Sequence, residues 1–303
     1  MAAAVLALCG SFMPSYAEVV VDEDEPPTVI NRTEDADAWR RFSFAKDAKL
    51  LEVWIPDIRD ADAAVIMYDG DVWMIDCGDE KAALRTAIML NQLGVKEIGK
   101  VFNSHPHHDH LDGLWTVNNT AKVKELLICF PKDSTEPMIR AMQTAEDQKI
   151  IVSEYKDEDR FLMGDGKASM TFWLKVEETA SMNDQSAQTM LRYGERSMLF
   201  MADMERHGQR VFTKALEPDE IKADIIKYPH HGKLEMADEC LLAISPKLAV
   251  ITNYRGAGKS RYYLGRRNVE IVYTNRDSVF THLVTDGKNW VVEYVPIQTQ
   301  KYP

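Results

Sequence analysis

From residue 42 onward the apolar positions fall into short β-rich runs, interrupted by a few segments with helical spacing. Leu50 to Ile55 and Ala63 to Tyr68 read as strands. Asp69-Gly70 is a tight-turn dipeptide ahead of a third run, Asp71 to Asp76, so the fold opens on a strand and a hairpin. Glu80 to Leu93 sets its apolar residues three and four apart, as a helix requires, with Gly94 behind it as a stop. Val101 to Asn103 then predicts a strand that runs into a group of histidines.

Beyond the histidines, strands are expected over Glu125 to Phe130, Ile150 to Glu154 and Ser169 to Leu174, with a helix over Glu136 to Glu146. A similar order follows. Gln188 to Tyr193 and Ser197 to Ala202 form a hairpin around Gly194-Glu195, Glu205 to Leu216 a helix, Ile225 to Tyr228 a strand and Met236 to Ile244 a helix. Leu248 to Thr252, Val269 to Tyr273, Val279 to Val284 and Trp290 to Val295 close the chain as strands. Two successive halves that mix hairpins with helices predict an α/β fold of two sheets packed face to face, helices outside.

Composition changes this picture only at the N-terminus. The 303 residues are 45% hydrophobic and 28% charged, an ordinary globular mixture, and no apolar run approaches the roughly 20 residues of a spanning helix. A net charge of −12 argues against an extensive nucleic-acid surface but not against a small phosphorylated substrate. Residues 18–37 hold eight acidic side chains against Arg32 alone and read as a solvated linker. Ahead of it, apolar Ala2 to Leu8 and the small residues of Ser15-Tyr16-Ala17 read as a signal peptide over residues 1–17. Secretion or a cell-envelope location is then expected, with a cytosolic tail as the alternative. One domain over 38–303 is left to carry the function. The four cysteines show no C-x-x-C spacing, so no disulfide scaffold is expected.

The chemistry concentrates in Ser104-His105-Pro106-His107-His108-Asp109-His110, a match to H-x-H-x-D-H. Residues two apart in an extended segment project to one side, and Pro106 keeps His105 out of helical geometry, so His105 and His107 can grip one metal ion. On that reading, replacing both should strip the metal. Asp109 and His110 follow where the chain turns toward a helix and can reach a second ion; imidazole and carboxylate suit zinc, manganese or iron. His108 is out of register and is given a supporting or packing role. A second cluster, Tyr228-Pro229-His230-His231-Gly232-Lys233, ends an apolar strand, and one of its imidazoles is expected to be a ligand. Asp203, at the end of another apolar run, is either a site carboxylate or a helix cap. Asp76 in Ile75-Asp76-Cys77-Gly78 has the same ambiguity, its functional role being to orient a ligand histidine.

Together these residues resemble the metallo-β-lactamase superfamily over nearly all of residues 45 to 295. Within it, Asn183-Asp184-Gln185-Ser186, the Phe200 to Glu205 segment, the double histidine and Val284-Thr285-Asp286-Gly287 are most similar to the nuclease-like branch of competence (ComEC-type) proteins. The resemblance implies a four-layer αβ/βα sandwich. It makes His105, His107, Asp109 and His110 ligands, Asp203 a bridging carboxylate and His230 the last ligand, with His231 able to exchange roles with it. It also implies a metal-dependent hydrolase in which Asp109 orients an activated water, and the leaving group is served by a metal-bound water or by the free one of the two imidazoles, His231 if His230 is the ligand. A small or polymeric phosphodiester is the expected substrate, a lactam, lactone or thioester the alternative, and metal binding without turnover a third reading. No histidine lies between His110 and His207, so the third first-metal histidine of many relatives has no counterpart; Asn183 or Asp184 is expected to substitute, or to support the site from behind. Gly256 to Ser260 imitates a phosphate loop but lacks its first glycine, Asn253 standing there. Arg255, Lys259 and Arg261 instead either edge the cleft and hold an anionic group or form a solvated basic loop. His282 and His207 are expected to be structural and superficial.

Overall fold

Along the first long strand, Leu51, Val53 and Ile55 alternate with Glu52 and Trp54, so the two rows leave the sheet on opposite faces. In the computed structural model, which describes residues 29–34, 42–176, 180–252 and 258–298 (backbone alone at 258 and 259), the first row enters a core between two sheets and Trp54 a different one. The first part of the chain gives β1 (Val29–Asn31), β2 (Leu51–Ile55), β3 (Ala64–Tyr68), β4 (Asp71–Ile75), α1 (Ala83–Gln92), β5 (Glu97–Phe102), α2 (His108–Leu111), α3 (Leu114–Thr120), β6 (Lys122–Ile128), α4 (Glu136–Gln148) and β7 (Ile151–Glu154). The second gives β8 (Arg160–Met163), β9 (Ala168–Trp173), β10 (Gln188–Tyr193), β11 (Arg196–Phe200), α5 (Arg206–Ala215), α6 (Pro218–Ile221), β12 (Ile225–Lys227), α7 (Asp238–Ile244), β13 (Leu248–Ile251), α8 (Gly258–Gly265), β14 (Glu270–Tyr273), β15 (Val279–Thr285) and β16 (Trp290–Pro296).

Nine strands form one sheet in the order β1-β16-β15-β2-β3-β4-β5-β6-β7, and seven form the other, β14-β13-β12-β11-β10-β9-β8. Val53, Ile66 and Phe102 of the first meet Met170, Leu191 and Val250 of the second in the central core. Outside the first sheet, Met89, Val117 and Met138 of α1, α3 and α4 pack on Val65, Met74 and Val101. Outside the second, Phe212, Leu241 and Leu264 of α5, α7 and α8 pack on Leu199, Ile226 and Ala249. The result is four layers, helix, sheet, sheet and helix: an αβ/βα sandwich.

The last hairpin, β15 and β16, returns to the first sheet and pairs with β2, so the division into two sheets does not follow the two halves of the chain. Val29–Asn31, inside the stretch read as a linker, pairs in parallel with β16, where sheet partners outweigh local charge. Residues 1–28 and 35–41, which include the signal-peptide segment, lie outside the described residues.

Both sheets place parallel strands where chemistry is expected. β4, β5, β6 and β7 are parallel in one, and β11, β12, β13 and β14 in the other. Ligand crevices of open α/β sheets form outside the carboxyl ends of such strands. Here the loops after β4, β5, β11, β12 and β13 carry Asp76, His105 to His110, Asp203, His230-His231 and Thr252. The loop after β5 is seated on the loop after β4: Cys77 N donates to His110 O at 2.7 Å and Gly113 N to Gly78 O at 2.9 Å. A Cβ at position 113 would lie 2.0 Å from the Cys77 carbonyl oxygen, so only glycine permits this approach.

Candidate metal centre

Three of these loops, those after β4, β11 and β12, bend through left-handed residues that are not glycine: Asp76 (φ 57°), Ala202 (φ 45°), His230 (φ 49°) and His231 (φ 54°). Such conformations persist only where their surroundings enforce them, and they gather at functional sites. His107 is extended (φ −86°, ψ 156°) at the head of α2, so the chain enters the short helix immediately after the H-x-H segment and carries Asp109 and His110 in its first turn.

Two buried imidazoles are held in the same way. His110 Nδ1 lies 2.7 Å from Asp76 Oδ2, and that carboxylate also accepts Ser104 N at 2.8 Å, Ser104 Oγ at 2.7 Å and Asn103 Nδ2 at 3.1 Å. His231 Nδ1 lies 3.1 Å from Asp62 Oδ1, which accepts Thr252 Oγ1 at 2.9 Å, while Asp62 Oδ2 pairs with the buried Lys227 ammonium. The free edges of the rings converge on Asp203. His110 Nε2 is 3.3 Å from Asp203 Oδ1, and His231 Nε2 is 3.4 Å from both Asp203 Oδ2 and Asp109 Oδ2. His110 Nε2, Asp203 Oδ1 and His231 Nε2 are buried without a hydrogen-bond partner. Orphaned donor atoms of this kind, nitrogen and carboxylate oxygen facing one point, fit a divalent ion. Asp62, His110, Asp203 and His231 each offer an atom within 4.8 Å of the others. Both oxygens of Asp62 are already engaged, however, so it stands behind the imidazole. Beside this set, His105 Nε2 and His107 Nδ1 face each other at 3.0 Å.

The electrostatics point the same way. Burial disfavours the charged form of His231, but Asp62 and Asp203 outweigh it and push its pKa up to about 10. At His110 burial is likewise outweighed, by Asp203 and Asp76, and the ring is held well above its ordinary value. At Asp203 burial opposes ionisation, yet His110 and His231 hold the carboxyl well below the usual range. At His105 burial wins, helped by His110, and the ring stays well below. Asp62, Asp76, Asp109 and Asp203 therefore share one region with Lys227 as their buried counter-charge, and protons on the imidazoles supply charge that a metal ion would replace.

The remaining candidates are placed differently. His230, expected as the last ligand, sits at the rim with a 20% exposed side chain, Nε2 at 3.8 Å from Asp203 Oδ2 and Nδ1 at 3.5 Å from Glu205 Oε1. His231 is the fully buried one and turns Nε2 to Asp203 and Asp109, because the left-handed pair throws consecutive side chains to opposite sides. Asp184 neither replaces a histidine nor supports one. Its Oδ1 accepts Glu205 N at 3.0 Å and Gly208 N at 2.8 Å, which caps α5 and relieves Asp203 of that duty. Asn183 Nδ2 donates to Glu205 Oε1 at 3.0 Å and reaches the site only through Glu205 and His230. His108 is 70% exposed on its side chain, with Nδ1 3.8 Å from Asp109 Oδ1. Arg261 is exposed; Arg255 and the Lys259 side chain lie outside the described residues. Ser260 of the loop that imitates a phosphate site donates to Gly232 O at 2.8 Å and ties α8 to the histidine turn. Cys77, Cys129 and Cys240 are free. Sequence reasoning missed Asp62, Lys227, Thr252 and Glu205. Their side chains join the site only through tertiary contacts, and no local spacing marks them.

Comparison with known proteins adds three findings. The sequence profile described as the metallo-beta-lactamase superfamily matches residues 57–251, well over half of the chain. A segment of 56 residues, 18% of the chain, is 39% identical to zinc phosphodiesterase ELAC protein 1 of Mus musculus and of Homo sapiens, and spans 15% of those relatives' own length. Among solved structures, a proposed metal-dependent hydrolase of Parabacteroides distasonis matches 74% of this chain and 94% of its own at 13% identity and a TM-score of 0.49. A B3 metallo-beta-lactamase with an active-site glutamic acid matches 68% and 83% at 16% identity and a TM-score of 0.41.

Proposed function

Since the chain belongs to the metallo-beta-lactamase superfamily and is a metal-dependent hydrolase, we propose that it hydrolyses a phosphodiester. The observation that carries the substrate class is the local likeness to zinc phosphodiesterase ELAC protein 1, which agrees with the resemblance of Asn183 to Ser186 and the double-histidine turn to the competence-type branch. In this reading Asp109, His110, Asp203 and His231 hold one ion, and His105 and His107 offer donors for another. A divalent ion there supplies Lewis acidity and lowers the pKa of water toward neutrality. The chain does the rest. Asp76 and Asp62 fix both imidazoles by their Nδ1 atoms, leaving each Nε2 free to bind. Glu205, held by Asn183, lies 3.5 Å from His230 Nδ1, and His230 Nε2, 3.8 Å from Asp203 Oδ2 at the rim, is placed to donate to a phosphoryl or leaving-group oxygen. We also propose that the protein acts outside the cytosol, on the strength of Ser15-Tyr16-Ala17; a native mass beginning at Glu18 is expected.

The substrate reading is tested by turnover of bis-p-nitrophenyl phosphate, nitrocefin and a γ-lactone by zinc- and manganese-loaded protein. Chelator-sensitive cleavage of the phosphodiester, with the others untouched, is expected. Turnover of nitrocefin or the lactone without the phosphodiester overturns it.

A further inference from the structure

One of the two matched imidazoles relies on a carboxylate that no motif marks. Asp62 is fixed on every side: its backbone N donates to Asp109 O at 3.0 Å, Oδ1 takes Thr252 Oγ1 at 2.9 Å and faces His231 Nδ1 at 3.1 Å, and Oδ2 meets Lys227. Lys227 is the last residue of β12 and is 4% exposed, so the carboxylate is compensated without water. His231 thereby has one ring orientation and one free nitrogen, and His110 has the same through Asp76.

Among the described residues, His105 and His107 have no comparable carboxylate backing. There His105 Nδ1 meets only the Ser104 hydroxyl, at 3.2 Å, and that hydroxyl donates to Asp76 Oδ2 at 2.7 Å. The facing nitrogens of His105 and His107, 3.0 Å apart, must give up their mutual hydrogen bond before both can bind an ion. Asp203 turns Oδ1 to His110 and Oδ2 to His231, so both its oxygens already serve the other set.

We infer that Asp62, compensated by Lys227, is a positioning residue that presets His231, making Asp109, His110, Asp203 and His231 the tight metal position and leaving His105 and His107 a weaker, exchangeable one. This reverses the expectation from spacing alone, in which the His105 and His107 pair holds the metal. It concerns loading and stands whatever bond is hydrolysed.

Calorimetric zinc titration of the chelator-stripped full chain should show two classes, the second weaker by at least about tenfold, the scale on which supporting partners act. The His105→Ala/His107→Ala variant should keep the tight class at wild-type affinity and lose the weak one. Asp62→Asn leaves the Lys227 ammonium buried without its partner, so Asp62→Asn/Lys227→Met is made beside it. In whichever of them folds by circular dichroism, the tight class should weaken about 10- to 100-fold while the weak class stays. Loss of the tight class in the His105/His107 variant, or its survival unweakened in a folded Asp62 variant, overturns the inference. The wild type supplies a test without substitution. One equivalent of cobalt(II) should bring out two hyperfine-shifted exchangeable imidazole N–H resonances, the Nδ1–H groups held by Asp76 and Asp62; their appearance only with the second equivalent overturns it.

Discussion

Asp203 spends neither oxygen on the backbone, since Asp184 caps α5 in its place, and this separates its chemistry from the stability of the fold. Asp203→Asn keeps the shape and removes the charge. Turnover should fall by about a hundredfold or more, on the scale of a well-placed electrostatic group, with little change in the melting midpoint of the metal-saturated protein. Turnover near the wild-type rate would remove Asp203 from the chemistry. At this scale the sequence was legible where neighbours in the chain are neighbours in space. His105, His107, Asp109 and His110 lie within six residues, and the order of imidazoles and carboxylate carries their meaning. Asp62 is 165 residues from Lys227, 169 from His231 and 190 from Thr252. Nothing around it in Arg59-Asp60-Ala61-Asp62 separates it from the neighbouring Asp57 and Asp60. The choice between His230 and His231 was equally hidden, because it depends on two consecutive left-handed residues that the sequence announces only by Gly232.

The cap on α5 is a property of an element, and it predicts a different phenotype from that of Asp203 one turn away. Asp184→Ala should lower stability by about 1 kcal/mol, as the loss of a helix cap does, and leave zinc affinity unchanged. A loss of metal with the melting midpoint preserved would return Asp184 to the site. Among elements, those with a full period were readable. The helix expected over Glu80 to Leu93 appears as Ala83–Gln92, and the hairpin around Gly194-Glu195 has Tyr193 opposite Arg196. The short ones were not readable. β1 has three residues at the end of an acidic run and exists because β16 offers it a partner; β8, Arg160–Met163, is an edge strand whose Leu162 is exposed, which breaks the apolar alternation.

Across the whole molecule, the return of β15 to β2 is sealed by a partly buried ion cluster around the buried His282. His282 lies on β15 with Nε2 3.0 Å from Glu52 of β2 and Nδ1 3.1 Å from Glu293 of β16, its ring stacked on Trp54 at 3.8 Å, while Arg32, just after β1, pairs with Glu293 at 3.2 Å. Burial works to lower the pKa of His282, but its bonds to Glu293 and Glu52 outweigh that and hold it above the ordinary 6.5. A raised pKa means that the folded state binds the proton more tightly. The contribution is therefore complete below the unfolded value and is lost as pH rises through the folded one. The melting midpoint should fall on the alkaline side, and His282→Gln should cost roughly 1–3 kcal/mol near neutrality and flatten that fall. An identical pH profile in wild type and variant would remove the cluster from the account. The same return has a consequence for biosynthesis. Glu52 and His282 are 230 residues apart, so at ~5–20 residues per second the nascent β2 edge, Leu-Glu-Val-Trp-Ile, waits roughly 10–50 s for its partner. An unpaired, aromatic-bearing strand exposed for that long is a template for joining other chains. What shields that edge until β15 has emerged from the ribosome then bears on folding yield, which is expected to vary with translation speed and holding chaperones even when the finished protein is fully stable.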